Sequence, residues 1–231
     1  MKKAILVLLL AFGVVFFVQA QEALTDGVGV EGEITNDTPA VNYSYEGEAN
    51  QVLVVELKPA DVFGDYDRPK IVVIAPDGSE VVAYDGFGTT RVVVELPADG
   101  TYTITITRED EESVGKYTVT ASKPVTLALG EAVQGTITNE EIKYYVYRGD
   151  ADFNVSFVRS GEFAPEISVN KLAEYLEGTL DSVGGAYGVS KAEIGTFDGG
   201  SLYIIKVAEA LFDFNFSTVT AEYSLTLTAA E

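Results

Sequence analysis

Along most of the chain, apolar and polar residues alternate with a period of two. Thr101-Tyr102-Thr103-Ile104-Thr105-Ile106-Thr107 alternates strictly, placing Tyr102, Ile104 and Ile106 on one face and threonines on the other. That pattern predicts a half-buried β-strand. Gln51-Val52-Leu53-Val54-Val55-Glu56-Leu57 and Arg91-Val92-Val93-Val94-Glu95-Leu96 are denser in β-branched residues, which favour the pleated backbone. Between such runs stand Pro76-Asp77-Gly78, Pro97-Ala98-Asp99-Gly100 and Asp198-Gly199-Gly200. These are turn signals, because glycine supplies a positive φ that aspartate also tolerates. Short strands at turn-punctuated intervals predict an all-β chain with an antiparallel sandwich or barrel. The one helix-like stretch is 170–177, two turns at most, ahead of Gly178.

The N-terminus breaks this pattern. Met1-Lys2-Lys3 is followed by an apolar run over residues 4–18 and by Val18-Gln19-Ala20. A basic start, a short apolar stretch and a small residue at the expected cut make a secretory signal peptide. The run falls short of the roughly 20 apolar residues a membrane span needs. Cleavage after Ala20 and export to the periplasm or beyond are therefore expected, and no later run is long enough to span. With no cysteine after the apolar run, a lipid anchor is excluded.

The remainder repeats itself. Val30-Glu31-Gly32-Glu33-Ile34-Thr35-Asn36 recurs as Val133-Gln134-Gly135-Thr136-Ile137-Thr138-Asn139. Tyr43-Ser44-Tyr45-Glu46-Gly47 recurs as Tyr145-Val146-Tyr147-Arg148-Gly149, and Tyr117-Thr118-Val119-Thr120 returns as Tyr223-Ser224-Leu225-Thr226. A period of about 100 residues indicates duplicated domains and not a solenoid of short units. The expected organisation is a leader over 1–20 and domains over 21–122 and 123–231. The boundary falls at Ser122-Lys123-Pro124, and the short linker predicts that the domains touch.

Composition narrows the chemistry. The 231 residues hold 15 Lys and Arg against 36 Asp and Glu, a formal charge of −21, which opposes nucleic acids and anionic lipid. His and Cys are both absent. Ser-His-Asp and Cys-His nucleophiles, thiolate metal sites and disulfides therefore cannot be built. Trp is absent too, leaving 13 Tyr as the main candidates for stacking on sugar rings.

Each half resembles the bacterial pre-peptidase C-terminal domain family, small β-sandwich modules appended to exported proteins. The resemblance rests on an ordered series: Gly32-Glu33-Ile34, Tyr43-Ser44-Tyr45, the apolar strand over 52–57, Pro76-Asp77-Gly78 with Asp85, Leu96-Pro97-Ala98-Asp99-Gly100-Thr101-Tyr102, and Gly115-Lys116-Tyr117-Thr118. It covers residues 30–122. The second half matches at both ends but lacks Pro-Asp-Gly and carries a Gly-rich stretch over 176–195 instead. The resemblance implies two tandem antiparallel, jelly-roll-like sandwiches without catalysis of their own, which bind an extracellular polysaccharide or protein or serve secretion, some with calcium. Two other readings stay open: a structural or assembly component of the cell envelope, and a polysaccharide hydrolase using paired carboxylates.

Calcium takes six to eight oxygens, several from carboxylates. Asp61, Asp65 and Asp67 crowd one predicted loop, with Asp77 and Asp85 on neighbouring turns, and are the candidate metal ligands. Their alternative role is local, as turn aspartates. Tyr43, Tyr45, Tyr144, Tyr145 and Tyr147 offer either a sugar-stacking face or strand packing.

Overall fold

The computed structural model describes residues 21–61, 65–138, 141–160, 165–172, 182–209 and 220–230. The expected leader over 1–20 lies outside them.

The strands are β1 (Glu22–Ala23), β2 (Gly29–Ile34), β3 (Val41–Gly47), β4 (Val52–Pro59), β5 (Pro69–Ile74), β6 (Glu80–Asp85), β7 (Thr90–Glu95), β8 (Gly100–Arg108) and β9 (Gly115–Ser122). After them come β10 (Val125–Thr126), β11 (Ala132–Thr138), β12 (Ile142–Arg148), β13 (Phe153–Arg159), β14 (Pro165–Lys171), β15 (Ser182–Tyr187), β16 (Lys191–Phe197), β17 (Leu202–Glu209) and β18 (Thr220–Ala229). They form four sheets: β1-β3-β8-β5-β6 with β2-β9-β4-β7, and β10-β12-β17-β14-β15 with β11-β18-β13-β16. Adding nine to each strand number of the first pair gives the second pair. The repeat seen in the residues is thus a repeat of topology, two β-sandwiches in tandem. All pairings are antiparallel except the short β1–β3 and β10–β12 pairs and an isolated bridge, which are parallel.

Each sandwich has its own core. Leu53, Val55, Leu57, Ile71, Val73, Ile104 and Val119 meet in the first; Phe153, Val155, Phe157, Ile167, Ile205 and Leu225 meet in the second. The second core is more aromatic. Phe153 takes the register position of Leu53, and Phe197 packs on it at 5.3 Å between ring centroids. Room for Phe197 comes from Gly184, where a Cβ would lie 2.8 Å from the ring.

The Gly-rich stretch over 176–195 is therefore no added element where it is described. Its residues 182–187 are β15 and 191–195 belong to β16, the counterparts of β6 and β7. The predicted helix over 170–177 is overturned at its first two residues. Asn170 and Lys171 end strand β14, paired with β17, and the Asn170 amide donates to the Ile204 carbonyl at 3.0 Å. Cross-strand hydrogen bonds outweigh a weak local helical preference. Residues 173–177 lie outside the described set.

A third apolar cluster joins the sandwiches. Val52, Val54 and Val93 point out of the first core and meet Val146, Leu172, Leu202 and Ile204, which point out of the second, with Tyr144 packed alongside. At its rim, the Arg148 guanidinium pairs with the Glu95 carboxylate. This cluster explains why Val52-Leu53-Val54-Val55 does not alternate: both faces of β4 are covered.

Candidate functional site

The turn and loop aspartates do not assemble. Asp77 lies beyond the C-terminal end of β5, where its carboxylate accepts from Ser79 N at 2.9 Å and from Ser79 Oγ at 2.6 Å. Those two bonds hold its carboxyl below the usual range and close the turn at Gly78, whose φ is +86°. Asp61, Asp65 and Asp67 precede β5, so the six residues of β5, roughly 20 Å of strand, separate them from Asp77. Asp85 does return to the Asp67 end, since it pairs in register with Lys70, but its carboxylate faces Arg68 at 3.5 Å. Among the described residues no three acidic, His or Cys side chains gather closely enough to hold a metal ion. The spacing along the chain suggested convergence, but the strand between the turns prevents it for Asp77.

The tyrosines are core. Tyr43, Tyr45, Tyr145 and Tyr147 are all at most 5% exposed, and Tyr144 lies against the cluster between the sandwiches. A sugar-stacking face made of them is therefore overturned. The period-two spacing of Tyr43 with Tyr45, and of Tyr145 with Tyr147, placed each pair on one face correctly, and that face is the inner one, whereas Tyr144 packs on the opposite side.

What these rings build is a clamp between sheets. In the first sandwich Tyr43 of β3 and Tyr117 of β9 reach across from opposite sheets, their hydroxyls 2.9 Å apart. In the second, Tyr145 of β12 and Tyr223 of β18 share the same hydrogen bond. A glycine lies over each pair. A Cβ on Gly32 would be 2.5 Å from the Tyr117 hydroxyl, and Gly135 is equally confined by the Tyr223 ring. This close approach is the physical reason for the Gly-x-Ile segment in both halves. Burial pushes the phenols of Tyr43, Tyr66, Tyr117 and Tyr223 above their ordinary value near 10. Because the native pKa is raised, the stabilisation is complete below about pH 10 and is lost as pH rises through the native values. We expect alkaline unfolding to be cooperative, with loss of β circular dichroism coinciding with a late step in tyrosinate absorbance. A smooth titration of every tyrosine with the β signal intact would contradict this.

Above the second clamp, between β10 and β11, runs an open groove of about 650 Å³. Tyr145 and Tyr223 form its floor, Val125 and Lys143 one wall, and Val133, Gln134 and Thr136 the other. Val125 is 53% exposed. β11 is the outermost strand of its sheet. At its end the Thr138 N–H donates to Glu141 Oε2 at 3.1 Å, and the Thr138 carbonyl accepts from Glu141 N at 3.2 Å. Both backbone groups of Thr138 therefore turn away from β18. Since antiparallel strands alternate the direction of these groups, Gln134 and Thr136 also turn theirs to the open side. Burial disfavours the Glu141 carboxylate, but bonds from Lys143 and Thr138 outweigh that and lower its pKa overall.

The two copies differ at the edge. Where β2 of the first sandwich carries Glu31 and Glu33, the matching positions of β11 carry Gln134 and Thr136. Glu22 is likewise matched by Val125. Charged residues along an edge discourage further strand pairing, so the two copies share the scaffold but only the first carries such a guard. Reading the sequence for composition alone misses this pair. The signal was available in the aligned repeat, as the loss of two acids from an otherwise retained segment.

No family model matches the chain, and no curated protein matches it. Several solved structures show a distant similarity to it. One contains the M60 catalytic domain with the CBM51-1 and CBM51-2 domains of ZmpB from Clostridium perfringens, 10% identical, TM-score 0.31, covering 88% of this chain and 34% of that one. Another is the PBSX exported protein XepA, 12% identical, TM-score 0.30, covering 89% and 88%. A third is the CBM22-1-CBM22-2 tandem of Xyn10C from Paenibacillus barcinonensis, 11% identical, TM-score 0.23, covering 81% and 76%. The chain thus spans about a third of the Clostridium structure. These likenesses are too distant to bear on function, and the sandwiches are read from this chain's own sheets.

Proposed function

We propose that this chain is an exported, non-catalytic binding or accessory module for an extracellular polymer or a surface partner. The observation that carries the proposal is the open groove along β11, with the exposed Val125, the half-buried Val133 and outward backbone groups at an unguarded sheet edge. Three further features support it. Residues 1–20 have the form of a leader; the chain has no imidazole or thiol with which to build the common nucleophilic sites; and residues 30–122 resemble accessory modules of exported proteins. The cluster between the sandwiches supports a rigid pair that presents the groove at a fixed orientation.

The test uses purified residues 21–231 against immobilised polysaccharides and extracellular proteins. Retention of the chain without any change in the polymer is the expected result. Release of new reducing ends or new amino termini would replace this reading with the hydrolase one.

A further inference from the structure

The groove and the strand beside it are complementary to a particular kind of occupant. An extended peptide added to a sheet edge gains affinity from main-chain hydrogen bonds and selectivity from pockets for alternate side chains. β11 offers both. Among the described residues, no strand or turn bonds to the outward backbone groups of Gln134 and Thr136. Every second side chain of an added strand would enter the groove against Val125 and Val133, which is apolar enough to take it. The pairing of β11 with β18 runs through seven residues without a register shift, so the template is regular.

Charge selects the occupant. β11 itself carries no charge, but Glu131 precedes it, Glu222 lies opposite Thr136 on β18, and Glu141 follows it. The neighbouring base, Lys143, is already paired with Glu141. A strand with basic residues toward its ends meets Glu131 and Glu222 favourably, and the chain's charge of −21 draws it in from a distance. The same charge opposes a second copy of this chain. β15 is an uncharged edge as well, but its pairing shifts register between Val169 and Asn170 and it contains two consecutive glycines, which weaken a template.

We propose that β11 takes up an extended segment of a partner polypeptide, apolar at alternate positions and basic toward its ends, as a fifth strand of the β11-β18-β13-β16 sheet. This rests on the reading of the chain as a binding module and names its ligand class.

The probe is a synthetic library of nine-residue peptides, apolar at alternate positions and with lysine at both ends, titrated into residues 21–231. Saturable binding is expected, with the amide resonances of Gln134 and Thr136 among those that shift, and with weakening as salt is raised. Thr136→Pro removes one outward donor and blocks the edge while leaving the bonds to β18 in place, and should weaken binding about tenfold or more. Should Thr136→Pro fail to fold, peptides N-methylated at alternate residues give the same readout on the unaltered chain, and their binding should be lost. Peptides that do not bind, or that bind equally well when N-methylated, overturn the proposal. So does a dimer of the free chain that Thr136→Pro abolishes, since the edge would then belong to a second copy. If a polysaccharide is retained by wild type and Thr136→Pro alike, strand addition fails and the binding-module reading survives. Turnover of a polymer ends both.

Discussion

Ile204→Asp is expected to split one cooperative thermal transition into two and to lower the first by several degrees or more. Ile204 is fully buried, yet it faces away from its own core and into the cluster with Val52, Val54 and Val93. A carboxylate there has no cation within the cluster to meet. An uncompensated buried charge costs about 3–5 kcal/mol, enough to separate the sandwiches but without direct effect on either core. Differential scanning calorimetry reads the split, and circular dichroism should report unchanged β content. By contrast Glu95→Gln, which removes the rim pair with Arg148, should cost no more than about 1 kcal/mol, because the Arg148 and Glu95 side chains are 49% and 34% exposed. A single transition at an unchanged midpoint for Ile204→Asp would mean that the two sandwiches are not energetically coupled through this cluster.

Phe153→Ala acts within one sandwich. The Phe153 ring is fully buried and lies 4.5 Å from Tyr147, 5.0 Å from Tyr203 and 5.3 Å from Phe197, centroid to centroid. Removing it takes away the centre of a four-ring cluster and leaves a cavity walled by rigid rings. The cost is about 3–5 kcal/mol, or a fall of about 15 °C in the midpoint of the second sandwich. Leu53 holds the equivalent place in the first sandwich, paired with Val94 where Phe153 is paired with Phe197, so Leu53→Ala falls at the lower end of the same range. The comparison is made by following the two transitions separately in the Ile204→Asp background. Equal and small losses at both sites would show that the aromatic cluster does not organise the second core.

Much of the architecture could be read before any coordinates. Strict alternation in 101–107 marks β8, Asp99-Gly100 marks its start and Asp198-Gly199-Gly200 the approach to β17, and the paired Gly-x-Ile and Tyr-x-Tyr segments mark the duplication. These signals are local, set by backbone sterics and by the two-residue period of a pleated strand, and a single chain displays them directly. Counting aspartates served less well. Nearness along the chain is not nearness in space once β5 intervenes between Asp67 and Asp77. The stretch over 170–177 shows the same limit, because Asn170 answers to the backbone of Ile204, 34 residues away.

What residue order determined by itself, then, was the kind of element, the number of copies and the exclusion of imidazole and thiol chemistry. Tertiary structure alone decided which side of each strand would face inward, so that Tyr43 and Tyr145 became inter-sheet clamps instead of a stacking surface. It also decided that the outer face of β4 would meet the second sandwich, and that β11 would stand at an edge beside a groove. The physical reason is that a strand's two faces and two edges are equivalent in one dimension. They become different only when other strands, distant in sequence, cover some of them and leave the rest open.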